Sequence, residues 1–382
     1  MTATSPVAVC PPLSLYIHVP WCVRKCPYCD FNSHAIRGDI PEAAYLQAIL
    51  EDLEPDLAYL RSRPIESVFI GGGTPSLMTG NFYQQLFTAL RQRMDFSHNA
   101  EITLEANPGT LEAGRFESFR EAGINRLSIG AQSFNPEHLK TLGRIHNAQA
   151  AHEAIEAARA AGFDNFNIDL MHGLPGQTPE QATGDLREAL SHNPAHLSWY
   201  QLTIEPNTEF FSRPPPLPDD DRLWAIYQQG SEFLHAAGFT DYEVSAWSRP
   251  GRESRHNLNY WLFGDYLALG AGAHGKVSLE DGRIIRYWKT RQPDAYLNRI
   301  GSRTSGTEAI EPEDRALEFM MNALRLKQGA DEQLFSERTG LPLSTVAVQL
   351  GSLRKQGLLT PHRIQATEQG QRYLNSLLEQ FL

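Results

Sequence analysis

Cysteine is scarce in this chain of 382 residues, and all four cysteines lie before residue 30. The rest of the chain offers them no partner, so a long-range disulfide framework is excluded. Three of them, Cys22, Cys26 and Cys29, lie within eight residues of one another. In a reducing compartment, cysteines spaced this closely are better explained as metal ligands.

Long apolar runs and excess positive charge are also missing. No run approaches the roughly 20 residues needed to span a bilayer, and the first residues lack the basic start and long apolar core of a signal peptide. We therefore expect a cytoplasmic protein. The net charge of −11 argues against general nucleic-acid binding, which needs a basic surface.

Six β-like runs alternate with helical stretches between residues 13 and 203. Each run is rich in β-branched or aromatic residues and is bounded by Gly, Pro or Asn. Successive β–α units predict a parallel sheet with helices outside. A curved, incomplete barrel and an open doubly wound sheet both fit this pattern. The six runs are LSLYIHVP, SVFIGGG, EITLEAN, RLSIGAQS, FNIDLMHG and HLSWYQLT.

The chain divides into four predicted segments. Residues 1–12 are predicted to be a flexible tail, and residues 13–212 hold the β–α units. Residues 213–305 begin with the stiff linker RPPPLPDDD and continue as a less regular α+β segment. The helix order and short hairpin within residues 306–382 predict a winged-helix-like domain.

The cysteines form a C-x3-C-x2-C loop directly after the first predicted strand. Three thiolates on one short loop can hold three corners of an iron–sulfur cube, which leaves the fourth iron open to a small ligand. The alternative is tetrahedral zinc with His18 or His34 as the fourth ligand.

With this spacing and position, the chain resembles the radical S-adenosylmethionine (SAM) superfamily over at least residues 13–205. The resemblance implies a partial (β/α)6 TIM-like barrel in an α/β fold. It also implies a [4Fe–4S] cluster whose open iron binds the amino and carboxylate groups of SAM, and which gives SAM an electron when reduced.

The run GGGTP at the end of the second predicted strand resembles the family's GGE-type motif, with Thr74 replacing the acidic residue. Glycines let a backbone approach a ligand closely. Further polar or aromatic residues at strand ends match the family pattern, although each alone is equally well explained as an ordinary turn or cap residue. The predicted SAM-binding residues are Tyr16, Tyr28, Gly72, Gly73, Thr74, Glu105, Gln132, Arg144 and Asp169.

Longer strings, such as YIHVPWCVRKCPYCDF and DLMHGLPGQT, resemble oxygen-independent coproporphyrinogen III oxidase and its relatives. The oxidase branch has another cysteine two residues after the third ligand, where this chain has Phe31. The HemW-type haem chaperone branch instead carries an H-N-x-x-Y-W motif. The matching residues, which are the predicted haem-binding residues, are His256, Asn257, Tyr260 and Trp261.

A neutral imidazole is a common axial ligand of haem iron, and aromatic rings can cover a porphyrin face. The resemblance therefore predicts that His256 binds haem iron, with Arg249, Arg252 and Arg255 meeting the propionates. The alternative is a surface loop in which the histidine bonds to its own turn.

Together these features predict a haem chaperone that binds haem, a [4Fe–4S] cluster and SAM, and delivers haem to respiratory haem proteins. Two enzymes remain as alternatives, a coproporphyrinogen III oxidase and a radical SAM methyltransferase, so catalysis itself stays open. The expected partners include an electron donor such as a flavodoxin or ferredoxin. Peripheral membrane contact and a homodimer are further expectations.

Overall fold

The computed structural model describes residues 10–109 and 114–382. Most of its strands belong to one 12-stranded sheet, and two short ones form a separate pair. The strands are β1 (Leu13–Val19), β2 (Trp21–Cys22), β3 (His34–Ala35), β4 (Ile65–Gly72), β5 (Phe96–Ala106), β6 (Arg126–Gln132), β7 (Phe166–His172), β8 (His196–Gln201), β9 (Thr240–Glu243), β10 (Ala246–Ser248), β11 (Asp265–Leu269), β12 (His274–Ser278), β13 (Ile284–Lys289) and β14 (Thr304–Ala309).

Helices connect most of these strands and make up much of the C-terminal region. They are α1 (Glu42–Asp56), α2 (Gly80–Arg91), α3 (Phe116–Glu121), α4 (Pro136–Thr141), α5 (Ala148–Ala160), α6 (Pro179–Ser191), α7 (Glu209–Ser212), α8 (Asp220–Ala236), α9 (Arg255–Trp261), α10 (Pro293–Leu297), α11 (Pro312–Ala323), α12 (Glu332–Thr339), α13 (Ala347–Lys355), α14 (Glu368–Arg372) and α15 (Leu374–Leu378).

The sheet order is β14-β13-β12-β11-β1-β4-β5-β6-β7-β8-β10-β9. The six predicted strands, β1 and β4 to β8, are adjacent, parallel and in chain order. A doubly wound sheet would reverse this order at a switch point, so the sequence of strands is that of a singly wound barrel. This arrangement confirms the predicted α/β, partial-barrel fold.

Strands β9 to β14, which lie in the predicted segment 213–305 and just beyond it, extend this sheet at both edges. Strand β11 pairs in parallel with β1, and β12, β13 and β14 follow it as antiparallel neighbours. At the other edge, β10 pairs antiparallel with β8 and β9. Of the predicted tail, residues 1–9 lie outside the described residues, and the Pro12 carbonyl accepts a hydrogen bond from the Asp265 amide.

The two faces of the central strands differ in polarity. In β4, the buried side chains of Val68 and Ile70 belong to the main apolar core, whereas Ser67 and Phe69 point to the opposite face because strand side chains alternate. The Ser67 hydroxyl bonds to Ser14 at 2.7 Å. The inner face of the sheet therefore carries polar groups that can meet a ligand.

The C-terminal region has its own apolar core, in which Phe319, Phe335 and Leu350 are buried. Short antiparallel bridges join Ala330 to Ile364 and Leu359 to Ala366 beside helices α11 to α13. This helix order with a short hairpin is compatible with the winged-helix-like prediction, whose boundaries stay a prediction. Among the helices that the structure describes, none is long and apolar enough to cross a bilayer.

A buried ion pair ties helix α1 to strand β13. The Lys289 ammonium lies 2.8 Å from both Asp52 and Asp56, and the side chains of Lys289 and Asp52 are fully buried. Asp52 also accepts hydrogen bonds from the Tyr296 hydroxyl at 2.8 Å and the Gly270 amide at 3.2 Å. Removing the lysine would leave two carboxylates in the core without a counter-charge.

We therefore expect Lys289→Met to lower the free energy of unfolding by about 3–5 kcal/mol, the usual cost of breaking a buried pair from one side. Urea denaturation followed by circular dichroism measures this loss. The exposed Lys355 provides the control, because Lys355→Met should change the free energy by less than about 0.5 kcal/mol. A loss below about 1 kcal/mol for Lys289→Met would contradict the stabilising role of this pair.

Candidate functional site

The cysteine loop is closed at its base by backbone pairing. Strands β2 and β3 pair in parallel, and the Ile36 amide donates to the Cys22 carbonyl at 2.9 Å. Within the loop, the Cys29 amide donates to the Cys26 carbonyl at 3.1 Å. Cys22 is buried, whereas Cys26 and Cys29 are half-buried. The loop thus carries three free thiols, one buried and two partly accessible.

The histidines needed for a zinc site are engaged elsewhere. Both nitrogens of the His18 ring have partners, the Tyr16 hydroxyl and the Asn32 carbonyl, each at 2.9 Å. His34 bonds to the Asn32 side chain at 3.1 Å. Among the described residues, no three His, Cys, Asp or Glu side chains are grouped to hold a single ion. His18 therefore has no free ring nitrogen for zinc, and the iron–sulfur cluster stays a prediction.

The glycine run lies directly against the start of the cysteine loop. The Gly73 amide donates to the Val19 carbonyl and the Thr74 amide to the Trp21 carbonyl, both at 2.7 Å. A Cβ atom on Gly73 would stand 2.4 Å from the Trp21 oxygen, closer than atoms can approach. Glycine is required here because the end of β4 and the loop share this space.

Two carboxyl groups face each other across the sheet. Glu105 at the end of β5 accepts a hydrogen bond from the Gly72 amide at 3.1 Å. Burial, reinforced by the charge of Asp169, raises the pKa of Glu105 to about 8. Asp169 accepts hydrogen bonds from Ser128 at 3.0 Å and Asn167 at 2.7 Å, while burial raises its pKa. Near neutral pH, Glu105 can therefore carry a proton and donate it in a hydrogen bond.

Arg144 links the cysteine loop to the strand ends. One terminal nitrogen lies 3.6 Å from the Cys26 sulfur and 3.5 Å from the Tyr28 hydroxyl. The other donates to the Asn107 side chain at 2.7 Å and the Gly130 carbonyl at 2.8 Å. Its Nε is buried without a partner in the described structure. A buried guanidinium with a free donor suits a small anionic group such as a carboxylate.

Gln132 adopts a backbone conformation that few side chains take. Its φ is +69°, and the pairing of β6 with β7 shifts register just before it. Its side-chain oxygen accepts a hydrogen bond from the Tyr200 hydroxyl at 2.7 Å. Such backbone strain, which costs of order 1–3 kcal/mol, concentrates at ligand-binding sites.

Of the predicted SAM residues, five lie at or just after strand ends, two lie within strands and two lie in loops; in this order they are Gly72, Gly73, Thr74, Glu105 and Gln132, then Tyr16 and Asp169, then Tyr28 and Arg144. Two further residues of this site were not predicted from the sequence. The Asn107 side chain accepts a hydrogen bond from Arg144 and donates one to the Thr74 hydroxyl at 2.9 Å. The Tyr200 hydroxyl donates a hydrogen bond to the Gln132 side chain. Asn107 could have been predicted from the sequence, because it is a polar residue in the EANP string directly after a predicted strand. No signal in the sequence indicated Tyr200.

A cavity of about 770 Å³ opens beside this set. Tyr16, Gly72 and Glu105 from the SAM set contribute to its wall. All four residues of the HNxxYW motif also line it. The remaining wall includes the rings of Phe31, Phe69, Tyr266 and Trp288, and the side chains of His18, Asn32, His274 and Arg291. The HNxxYW motif and three of the nine predicted SAM-binding residues therefore share one cavity.

The HNxxYW motif lies on a helix and not in a surface loop, with His256 buried and its other residues half-buried. Helix α9 holds its four residues on one side because His256 and Tyr260, and likewise Asn257 and Trp261, are four positions apart and are therefore neighbours on a helix. The His256 ring bonds to Ser67 through Nδ1 at 3.2 Å and packs on Phe69 with centroids 5.3 Å apart. Burial, aided by the charge of Arg126, lowers the pKa of His256 to about 3. His256 is therefore neutral at physiological pH, with Nε2 left for a ligand.

The three arginines expected at haem propionates have other partners, and none of them lines the cavity, so their contact with propionates stays a prediction. Arg255 pairs with Glu66 at 3.0 Å, Arg252 lies 3.9 Å from Asp164, and Arg249 donates to Asn193 at 2.7 Å. The three side chains point in different directions because Arg255 lies at the start of helix α9, whereas Arg249 and Arg252 lie in the turn before it.

The raised pKa of Glu105 leads to a pH-dependent prediction. Between the ordinary value of 4.5 and about 8, the folded protein keeps a proton that the unfolded chain releases. This group therefore lowers the free energy of unfolding as the pH rises, by up to about 1.4 kcal/mol per pH unit. We expect Glu105→Gln to become progressively more stable than wild type between about pH 5 and about pH 8.

Urea denaturation of ligand-free protein at several pH values measures this difference in unfolding free energy. Glu153→Gln, at an exposed position of helix α5, is the matched control and should follow wild type throughout. A difference between Glu105→Gln and wild type that stays constant with pH would show that Glu105 titrates normally.

Comparison with known proteins places this chain in a family. The sequence model of the radical SAM superfamily matches residues 16–189, and that of the HemN C-terminal domain matches residues 310–373. "Heme chaperone HemW" of Escherichia coli is 54% identical over 97% of this chain and 98% of its own length. The protein of the same name from Haemophilus influenzae is 50% identical over the same shares.

Among solved structures, coproporphyrinogen III oxidase (HemN) from Escherichia coli, a radical SAM enzyme, superimposes with a TM-score of 0.81. It is 24% identical, and the match covers 97% of this chain and 90% of that one. At this identity the match supports the fold alone. With half of its residues identical to full-length relatives, the chain belongs to the HemW family of radical SAM proteins.

Proposed function

We propose that this protein is a cytoplasmic haem chaperone that binds haem in its interior cavity next to a [4Fe–4S] cluster and SAM. One observation carries the proposal: the entire HNxxYW motif and three of the predicted SAM-binding residues line the same 770 Å³ cavity. That volume lies within the range of roughly 300–1,000 Å³ typical of sites for small molecules and cofactors.

The cavity wall has the chemistry that a porphyrin needs. His256, with a pKa near 3, offers a neutral imidazole to the iron. Tyr260 packs against Trp261 and Tyr266, with ring centroids 4.9 Å and 5.3 Å apart, and these rings can cover a macrocycle face. Arg291 in the same wall is a cation available to a propionate.

The cluster and SAM fit the neighbouring strand ends. Cys22, Cys26 and Cys29 would hold three irons, and the fourth would bind SAM. When bound, this pair supplies a low-potential electron and an activated sulfonium. The unpartnered Nε of Arg144 suits the SAM carboxylate, while Glu105 and Asp169 can bind its amine or ribose hydroxyls.

The names of the full-length relatives support haem delivery over the two enzymatic alternatives. Respiratory haem proteins are the proposed recipients, and a flavodoxin or ferredoxin is the proposed electron donor. The likeness to coproporphyrinogen III oxidase rests on fold, and Phe31 stands where that branch has its additional cysteine. Membrane contact and dimerisation remain parts of this proposal without a structural argument.

The cluster assignment predicts a selective effect of cysteine replacement. Cys26→Ser, reconstituted anaerobically, should lose most of its iron and sulfide and its reduced-state EPR signal, because only two thiolates would remain. Cys10→Ser is the matched control and should retain wild-type contents. Equal loss in both variants, or stoichiometric zinc without sulfide in wild type, would contradict the assignment.

The haem assignment predicts that His256→Ala weakens haem binding by about two orders of magnitude or more, since a metal–ligand bond is lost. Anaerobic titration followed at the Soret band measures the affinity. His362→Ala, at an exposed position, should bind like wild type. An unchanged Soret band in His256→Ala would contradict the assignment of His256 as the iron ligand.

Rapid formation of protoporphyrinogen from coproporphyrinogen III would instead favour the oxidase.

A further inference from the structure

The interior cavity extends beyond the six barrel strands onto β11, β12 and β13. His274 of β12 and Trp288 of β13 are partners in the antiparallel pairing, and both side chains line the cavity. His256 lines it too and bonds to Ser67 of β4. Strands β4, β1, β11 and β12 are successive neighbours, so His274 lies about 14 Å from Ser67, three strand spacings along the sheet. A ligand held at both His256 and His274 must therefore be large.

Trp288 gives this end of the cavity a flat aromatic wall. A Cβ atom on Gly306 of β14 would stand 2.1 Å from the Trp288 ring, so a glycine is required for the ring to lie against the neighbouring strand. The His274 and Trp288 rings are stacked, with centroids 6.3 Å apart and planes inclined by 25°. The wall can therefore hold the edge of a flat macrocycle, with the His274 ring beside it.

His274 is an uncharged hydrogen-bond donor at this end of the cavity. Partial burial, together with the charges of Arg286 and Arg291, lowers its pKa below the ordinary value of 6.5. At neutral pH the imidazole is therefore neutral, and one ring nitrogen carries a proton that it can share with an acceptor. The same two arginine charges that disfavour a proton on His274 favour an anion beside it.

Arg291 is held at the cavity wall by Asn32. Its Nε donates to the Asn32 side chain at 3.2 Å, and its carbonyl accepts a hydrogen bond from the Asn32 side-chain nitrogen at 2.9 Å. Among the described residues, neither terminal nitrogen of Arg291 has a hydrogen-bond partner, whereas Arg286 is paired with Glu318 at 2.7 Å. The terminal nitrogens of Arg291 are therefore available to a carboxylate, whose geometry a guanidinium matches.

The other charged groups of the wall leave this end the most suitable for an anion. Burial raises the pKa of Glu105 to about 8, and this group lies on β5, on the side of β4 away from β12. Asp30 is exposed on the cysteine loop, where solvent and salt screen its charge. Lys289 also lines the cavity, but its ammonium is engaged by two buried carboxylates. A carboxylate of a ligand is therefore best placed at His274 and Arg291.

We propose that His274 and Arg291 form a subsite for the propionate carboxylates of haem. This inference rests on the proposed haem site and assigns an orientation within it, with the iron at His256 and the propionate edge against β12 and β13. The separation of the two ends suits haem, because the propionates extend from one edge of the macrocycle while the iron lies at its centre. Hydrogen bonds and charge attraction hold the carboxylates, and no covalent bond forms or breaks.

Anaerobic titration of the full-length protein with haem and with haem dimethyl ester, in which both carboxylates are blocked, tests the subsite. His274→Ala and Arg291→Met should each weaken haem binding about tenfold or more, because a hydrogen bond to a charged group is lost. Both variants should bind the ester as wild type does. His274→Gln keeps an N–H donor and should recover most of the lost affinity for haem.

His362→Ala and Arg222→Met, at exposed positions outside the cavity wall, are the matched controls and should bind haem like wild type. If His274→Ala and Arg291→Met weaken binding of haem and of its ester equally, the carboxylates are not what these residues recognise, and the subsite is overturned. An altered Soret band in the ester complex of His274→Ala would make His274 an iron ligand, which also overturns it.

The subsite and the proposed haem site fail in different ways. A wild-type protein that binds neither haem nor its ester would overturn the haem site and the subsite with it. If wild type binds haem and the ester with equal affinity, and His256→Ala weakens both, the haem site stands and the propionate subsite alone is overturned.

Discussion

The site depends on one interaction, the capping of helix α9 by a carboxylate from inside the sheet. Glu101 of β5 accepts hydrogen bonds from the Arg255 amide at 2.9 Å and the His256 amide at 3.3 Å. A carboxylate at a helix N-terminus meets both free amides and the positive end of the helix dipole. Together with the N-cap Ser254, whose hydroxyl accepts a hydrogen bond from the Asn257 amide at 3.4 Å, this contact holds the start of α9 with His256 and the residues one turn later beside the cavity.

Hydrogen bonds from the polar inner face of the sheet offset the free-energy cost of burying polar groups of helix α9. Ser14, Ser67 and Glu101 satisfy polar groups of α9 that would otherwise be buried without partners. The same helix contacts the C-terminal region, because Arg325 lies over the Trp261 ring at 4.5 Å and also reaches Glu243 at 3.3 Å. The cavity wall is thus supported from the barrel on one side and from the C-terminal region on the other.

Much of the fold could be predicted from local sequence, because each central strand is a short β-branched run and its polar end follows directly. The same logic located Glu105 and Asp169. Contacts between distant segments left no such trace: Tyr200 meets Gln132 across 68 residues, and Glu101 meets His256 across 155. The HNxxYW string identified a candidate ligand, but its place on a helix with a buried histidine was not apparent, since a run of seven residues does not distinguish helix from loop.

The central claim is that haem binds inside the cavity shared by the HNxxYW helix and the strand ends of the cluster site. A crystal structure of the full-length protein, reconstituted anaerobically and saturated with haem, tests this claim most directly. The account predicts porphyrin density within the cavity, with the His256 imidazole bonded to iron and the macrocycle against Tyr260 and Trp261. Porphyrin density on the outer surface, with the interior cavity filled by solvent, would contradict it.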